Sequence, residues 1–272
     1  MKFEKYINNH LPEHIKPYEN YENDLEWFLG FAEGDGHWSA TLPKNAIYHR
    51  HSFIITQKDP QVLFAVKSIL GFGTIKPVIV RGELSHYRYV ISDKINIERI
   101  IHICNGNLVL NKVNTRFKLF VETFNERPKT SIIEYIQPDK NEKFVTLQNG
   151  WFSGFIDAEA CFNVEKNRDN RPRFVVGQSH EKYIINQLKE ILSPNGGSVH
   201  LRSGANDHYV LQVSALETLE ILAIYLEDYP LKSEKSIGYK RWLKVIYRTL
   251  ENKPRQSIRS LIRLERLIKN IK

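Results

Sequence analysis

Cysteine is scarce in this chain, with two in 272 residues, Cys104 and Cys161. Two cannot make a disulfide framework or a cysteine-rich zinc site. The ten histidines show no H-E-x-x-H spacing and the cysteines no C-x-x-C, so structural zinc is not expected. Long hydrophobic runs are absent as well. None approaches the roughly 20 residues of a membrane span, so no membrane partner is expected. The segment 1–23 holds no apolar stretch of the signal-peptide kind. Glu4, Glu13, Glu19 and Glu22 do not suit a transit peptide, which is poor in acids. A reducing compartment is the default.

What remains is a basic chain with ample apolar residues. Hydrophobic residues make up 42%, enough for one large core or two small ones. Lys+Arg number 39 against 31 Asp+Glu, a net charge of +8. That balance favours a polyanionic partner, but is modest for this length. The abundance of Lys, Asn and Ile, residues with AT-rich codons, hints at an organellar genome, a mitochondrion before a chloroplast.

An internal repeat organises the chain. Trp27-Phe28-Leu29-Gly30-Phe31-Ala32-Glu33-Gly34-Asp35 returns as Trp151-Phe152-Ser153-Gly154-Phe155-Ile156-Asp157-Ala158-Glu159. Phe53 to Gln57 returns as Phe174 to Gln178, His86 to Ser92 as His208 to Ser214, and Asn111-Lys112 as Glu234-Lys235. The offset is 124 residues from Asp35 to Glu159, 121 from Gln57 to Gln178, 122 from His86 to His208 and 123 from Lys112 to Lys235. Four ordered matches at nearly constant offset predict two homologous halves related by a pseudo-two-fold axis. The expected divisions are an N-terminal extension (1–23), a first repeat (24–125), a linker (126–148), a second repeat (149–250) and a basic C-terminal helix (251–272).

Hydrophobic periodicity predicts the same elements in each half. Helices are expected at Leu25 to Asp35, Pro60 to Leu70 and Asn111 to Asn125, and again at Gly150 to Glu159, Glu181 to Leu192 and Lys235 to Leu250. Asn23 with Glu26 resembles a capping box for the first helix, and Asn149 is a candidate cap for its counterpart. Alternating segments between the helices predict four strands per half. They run from His37 to Lys44, His49 to Gln57, Thr74 to Arg81 and Tyr87 to Ser92, then from Cys161 to Asn167, Arg173 to Gln178, Ser198 to Arg202 and His208 to Ser214. The fold class is α+β, two α-β-β-α-β-β-α repeats with antiparallel sheets.

Gly30 and Gly34 share one helix face, as do Gly154 and Ala158. Small residues at this spacing let backbones approach closely, so the two helices are expected to pack together at a central interface. Asp35 and Glu159 follow at the helix ends. A carboxylate there faces the negative end of the helix dipole, an unfavourable placement unless a cation is bound. Oxygen ligands of this kind suit Mg²⁺. Mn²⁺ is expected to substitute, while Ca²⁺, larger and less strict in geometry, is expected to bind without supporting reaction. Glu33 and Asp157, two positions earlier, are assigned helix-end solvation or capping contacts.

These segments resemble the LAGLIDADG motif in its relaxed form, and the chain resembles single-chain homing endonucleases with two motifs. The resemblance covers Asp24 to Leu250. It implies a monomer that hydrolyses phosphodiesters in double-stranded DNA at a long, non-palindromic site. It implies metal at Asp35 and Glu159, assisted by the carbonyls of Gly34 and Ala158. It places an active-site polar pair at Gln57 and Gln178 and a basic pair at Lys112 and Lys235. Two departures are Asp35 where Glu also occurs and Ala160-Cys161 where Gly-Ser is common. The resemblance also implies two sheets forming a saddle on DNA. With Trp38, Ala40 and Leu42 inside, period two turns His37, Ser39 and Thr41 outward. Phe162 and Val164 inside turn out Asn163 and Glu165, and Tyr209, Leu211 and Val213 inside turn out His208, Gln212 and Ser214. Lys76, Arg81, Arg88, His200 and Arg202 are expected neighbours on that surface. A rival reading is an RNA-binding maturase acting on a group I intron RNA, alone or as a second activity. The retained acids, glutamines and lysines favour cleavage.

Overall fold

A computed structural model describes residues 1–126, 136–138, 144–165, 170–193, 196–204 and 206–250. The expected C-terminal helix, 251–272, and most of the expected linker lie outside them. The chain divides into two compact units, Met1–Phe144 and Val145–Lys272.

The first unit runs α1 (Glu4–Asn9), α2 (Tyr21–Asp35), β1 (Gly36–Thr41), β2 (Arg50–Gln57), α3 (Gln61–Leu70), β3 (Thr74–Val80), β4 (Glu83–Ile91), α4 (Lys94–Cys104) and α5 (Asn111–Asn125). The second runs α6 (Trp151–Glu159), β5 (Ala160–Glu165), β6 (Arg171–Ser179), α7 (Lys182–Leu192), β7 (Ser198–Leu201), β8 (His208–Val213), α8 (Leu216–Asp228) and α9 (Lys235–Leu250). Each unit holds one antiparallel sheet of four strands, in the order β1-β2-β4-β3 and β5-β6-β8-β7.

Alternation explains the sheets. In the first, Trp38 pairs with Phe53, Phe53 with Ile91 and Ile55 with Tyr89. All five side chains are buried and turn one face to the helices. Phe162, Phe174, Val176, Leu211 and Val213 do the same in the second. Burying an aromatic or branched side chain of this size stabilises the fold by about 1.5–3 kcal/mol. The other face of each sheet carries polar and charged residues.

Each repeat has one helix more than periodicity suggested, α4 and α8. In α4 the apolar residues Ile97, Ile100, Ile101, Ile103 and Cys104 are all buried and nearly continuous, which blurs any amphipathic stripe. Its start was nonetheless written in the sequence, since the Asp93 carboxylate accepts the Asn96 N–H at 2.9 Å. The expected capping box at Asn23 is absent. The α2 helix begins earlier, after Asn20, which makes no side-chain cap bond. Tyr21 draws that first turn inward, because it is buried and donates its hydroxyl to the Ile69 carbonyl. Asn149 does bond the start of α6, accepting the Trp151 N–H at 3.1 Å. Leu42, expected inside, lies beyond the end of β1 and is 55% exposed.

Candidate active site

The motif helices α2 and α6 each pass directly into the first strand of their sheet, so their last residues, Asp35 and Glu159, sit at a helix–strand junction. The second strand of each sheet brings a glutamine alongside. Gln57 occupies the inward parity of β2, in step with Phe53 and Ile55, at the strand's end. Its amide donates to Asp35 Oδ2 at 2.7 Å. Gln178 at the matching place on β6 donates to Glu159 Oε1 at 2.8 Å. Gln178 is buried, and its own carbonyl oxygen accepts the Ser179 N–H at 2.9 Å. Each carboxylate is therefore aimed by a neutral donor that leaves its charge intact.

Lys235, the first residue of α9, counters the negative end of α6. Its ammonium donates to the Ile156 carbonyl at 3.0 Å and reaches the Ala158 carbonyl at 3.4 Å. Lys112 stands in the first turn of α5, half-buried.

Glu33 and Asp157 do more than solvate a helix end. Glu33 is buried, and its carboxylate accepts the Val109 N–H at 2.9 and 3.0 Å and the Leu110 N–H at 2.7 Å. Those amides lead into α5, where Lys112 is the second residue. Asp157, also buried, accepts the Lys232 N–H at 2.7 Å and the Ser233 hydroxyl, just before α9 and Lys235. Each motif helix thus ends with two acids in its last turn, one at the junction and one that anchors the lysine-bearing helix by its positive end. The matched acid two places before each terminal one was the signal in the sequence. The partners, 75 to 77 residues away, were not legible.

On the open face of the first sheet, His37 and Thr41 are exposed and Ser39 is half-exposed. Thr56, Arg88 and Lys76 lie in one row across β2, β4 and β3, all exposed. Arg81 falls in the tight β3–β4 turn with Gly82, both with positive φ. On the second sheet, Asn163 pairs with Arg173 and accepts its guanidinium at 3.0 Å, and Glu165 pairs with Arg171. Both arginines escaped the sequence reading; the strand register places them beside residues it had picked. Gln212 lies between Val175 and Ser198. His200 pairs with Val210, and Arg202 continues that edge, donating its N–H to the His208 carbonyl at 2.8 Å. His208 and Ser179 share a hydrogen bond of 3.0 Å. Val210, at an outward position, is 8% exposed, because His208 leans over Gly177 beside it.

The donors around each junction are hard oxygens, a carboxylate and the carbonyls of Gly34 or Ala158. That set fits a divalent cation of the magnesium or calcium kind. The same groups recur in both halves, and the comparison with known proteins decides what they belong to. The family model for LAGLIDADG endonuclease matches residues 28–124 and again residues 152–246. The chain belongs to the LAGLIDADG endonuclease family. Among curated relatives of this LAGLIDADG chain, the Neurospora crassa protein named "Probable intron-encoded endonuclease 4" is 35% identical over 256 residues, covering 90% of this chain and 44% of that protein. This chain thus spans less than half of that relative. The "Uncharacterized cox1 intron-2 37.2 kDa protein" of Schizosaccharomyces pombe is 27% identical, covering 92% of this chain and 73% of that protein. The Saccharomyces cerevisiae "Intron-encoded RNA maturase bI4" is 24% identical, covering 77% of this chain and 30% of that protein. Among solved structures, the LAGLIDADG homing endonuclease I-GzeII in complex with its DNA target has a TM-score of 0.68 at 18% identity, covering 91% of this chain and 98% of that one. I-SmaMI bound to uncleaved DNA target in the presence of calcium ions has a TM-score of 0.67 at 14% identity, covering 91% and 98%. These likenesses establish the shared fold. Among the described residues, no helix is long and apolar enough to cross a membrane.

Proposed function

We propose that this chain is a site-specific homing endonuclease that hydrolyses a phosphodiester in each strand of a long, non-palindromic DNA duplex as a monomer. The observation that carries the reading is the twin acid–glutamine bond, Asp35 with Gln57 and Glu159 with Gln178. A merely DNA-binding descendant has no need to aim two carboxylates in two repeats. The names of its relatives and the DNA-bound structures that share its fold support the same reading.

In this reading Asp35 and Glu159 are the acidic ligands of Mg²⁺, with the Gly34 and Ala158 carbonyls beside them. Mn²⁺ substitutes, and Ca²⁺ supports binding without cleavage. A bound divalent cation supplies an acidified water and neutralises phosphate charge. The chain's own residues do the rest. Gln57 and Gln178 hold each carboxylate in one orientation. Lys112 and Lys235 place positive charge where the transition state gathers negative charge. Glu33 and Asp157 fix the helices that carry those lysines. His37, Ser39, Thr41, Lys76, Arg81, Arg88, Asn163, Glu165, His200, Arg202, His208 and Gln212 meet the duplex through base edges and phosphates. The repeats extend over 24–125 and 149–250. Relatives named as intron-encoded, one of them from a cox1 intron, support an organellar location, a mitochondrion above all.

The test is cleavage selection on a randomised duplex library with Mg²⁺. One non-palindromic site is expected, with no cutting in EDTA. Robust cutting in EDTA overturns the metal assignment. Similarity to the yeast maturase supports a second reading, RNA binding to a group I intron. Tighter binding to structured intron RNA than to any selected duplex would put that reading first.

A further inference from the structure

Away from the motif helices, three side chains gather where α1 meets α4. His10 caps the end of α1, and Glu98 and His102 stand four residues apart on α4, hence on one face. One ligand atom from each lies within 4.8 Å of the other two. We propose that His10, Glu98 and His102 form a second cation site, of the borderline-soft class that takes zinc or nickel, separate from the oxygen sites of the motif acids.

The donor set is two imidazoles and one carboxylate, the mixture that suits zinc and nickel and leaves a coordination position for water. Sequence spacing alone hid it, because the first ligand lies 88 residues before Glu98. His102 is buried, while His10 and Glu98 are half-exposed, so the open position faces solvent and an ion has a way in. Among these three the Glu98–His102 approach is long, 4.0 Å. Burial, with His10 and Lys5 nearby, lowers the His102 pKa to about 3, so the ring is neutral and offers a lone pair. Burial likewise raises Glu98 despite Lys94, Lys5 and Arg99 around it.

Two features set the cost. The His10 and His102 rings are stacked, with centroids 3.8 Å apart and planes 18° from parallel. A metal must lie near the plane of each ring, so the rings must turn apart. Ligands about 2.1 Å from a tetrahedral zinc sit about 3.4 Å from one another, so the cluster must also close by about an ångström. His10, half-exposed at the end of α1, is the ring that would have to turn. Lys5 and Lys94 oppose a cation. Arg99, a third cation near Glu98, is held by the His10 carbonyl, to which it donates at 2.8 Å, and by Asn96 at 2.7 Å. Binding ties the N-terminal segment to α4, a structural clip with no part in cleavage.

The experiment is calorimetric titration of the full chain with zinc chloride and, separately, nickel chloride, alongside visible absorption with Co²⁺. One ion per chain is expected, weakened at least tenfold in His10→Ala and in His102→Ala, and unaffected by excess Mg²⁺. Co²⁺ should give the intense visible band of a tetrahedral site. The double variant Asp35→Asn, Glu159→Gln should bind as tightly as the parent, as should His180→Ala, which removes an exposed histidine paired with Asp207. Because His102 is buried and its loss endangers folding, His10→Ala is the deciding variant. No binding, unchanged binding in His10→Ala, or loss in the motif-acid variant each overturns the proposal. The readout is binding, so it stands or falls apart from any cleavage activity.

Discussion

Take one row across each sheet, at matching positions of the two repeats. In the first, Thr56, Arg88 and Lys76 stand side by side, exposed. In the second, the places belong to Gly177, Val210 and His200, the first two buried. Two cations directly opposite each other destabilise a sheet unless an anion lies over them. The second row has no such cost and no such attraction. On the inward side the opposite holds, since Gln57 and Gln178 make the same bond to the same kind of acid within 0.1 Å. The inner faces of the repeats are interchangeable and the outer faces are not. In the proposed reading, chemistry common to both DNA strands sits where the repeats agree, and discrimination between half-sites sits where they differ.

The sharpest way to break this comparison is to remove one inner acid at a time. Asp35→Asn and Glu159→Gln should each reduce double-strand cleavage by on the order of a thousandfold or more, with duplex binding retained. A gel assay that separates binding from nicking and linearisation checks it. If one variant cuts at the parent rate, the two repeats are not equivalent in chemistry.

Next come the anchoring acids. Glu33→Gln and Asp157→Asn keep the shape but weaken charge-assisted bonds to backbone amides and, for Asp157, to Ser233. Each is expected to cost about 1–3 kcal/mol of stability and about 10- to 100-fold in cleavage rate, with little change in DNA affinity. Denaturant melts and single-turnover rates measure both. Equal loss of affinity and rate would point to general unfolding instead of misplaced lysines.

The outer rows should respond unequally. Lys76→Ala or Arg88→Ala is expected to lower the slope of log affinity against log salt by about one unit. His200→Ala should leave that slope nearly unchanged and alter base preference in the other half-site. Competition titrations at several salt concentrations distinguish the two.

The smallest effect concerns Gly177. A Cβ there would stand 2.8 Å from His208 Nε2 and 3.0 Å from the Tyr209 carbonyl oxygen, so Gly177→Ala should cost about 1 kcal/mol and displace the His208 ring. Thr56→Gly, the reciprocal change, should cost about as much through strand propensity alone, with no ring to displace. Thermal melts of the pair, with the His208 imidazole followed by NMR, sharpen the contrast.

The repeat made much of this legible in advance. Gln57 and Gln178 mean little singly, but each ends a segment, Phe53 to Gln57 and Phe174 to Gln178, that recurs between the halves, and the strand ends put each beside its acid. Helix α4 has a stretch, Ile100-Ile101-His102-Ile103-Cys104, that is wholly buried and blurs its stripe, whereas in α8 the exposed Ile221 and Ile224 put apolar residues opposite the buried Leu219, Leu222 and Leu226 and so hide the pattern. The partners of Glu33 and the gathering of His10 with Glu98 depend on tertiary placement, which local periodicity does not encode. Arg171 and Arg173 needed the register of β5 against β6. Ala160-Cys161, noted as a departure after the second motif, proved compatible with the same junction, since the Ala160 N–H still closes the helix on the Ile156 carbonyl.

The bond from Leu110 to Glu33 also sets a clock. The Glu33 carboxylate cannot gain its backbone donors, Val109 and Leu110, until amides 76 and 77 residues further along the chain have been made. At about 5–20 residues per second, a ribosome takes roughly 4–15 s to supply them. During that interval the motif helix can form, but its buried acid lacks the two amides that anchor it, so α2 cannot settle into its final place. The second repeat faces the same wait for Lys232, and begins it after the first has closed. Two halves with the same strand order on one chain are thereby finished one after the other, which limits the chance that strands of one repeat pair with those of its twin.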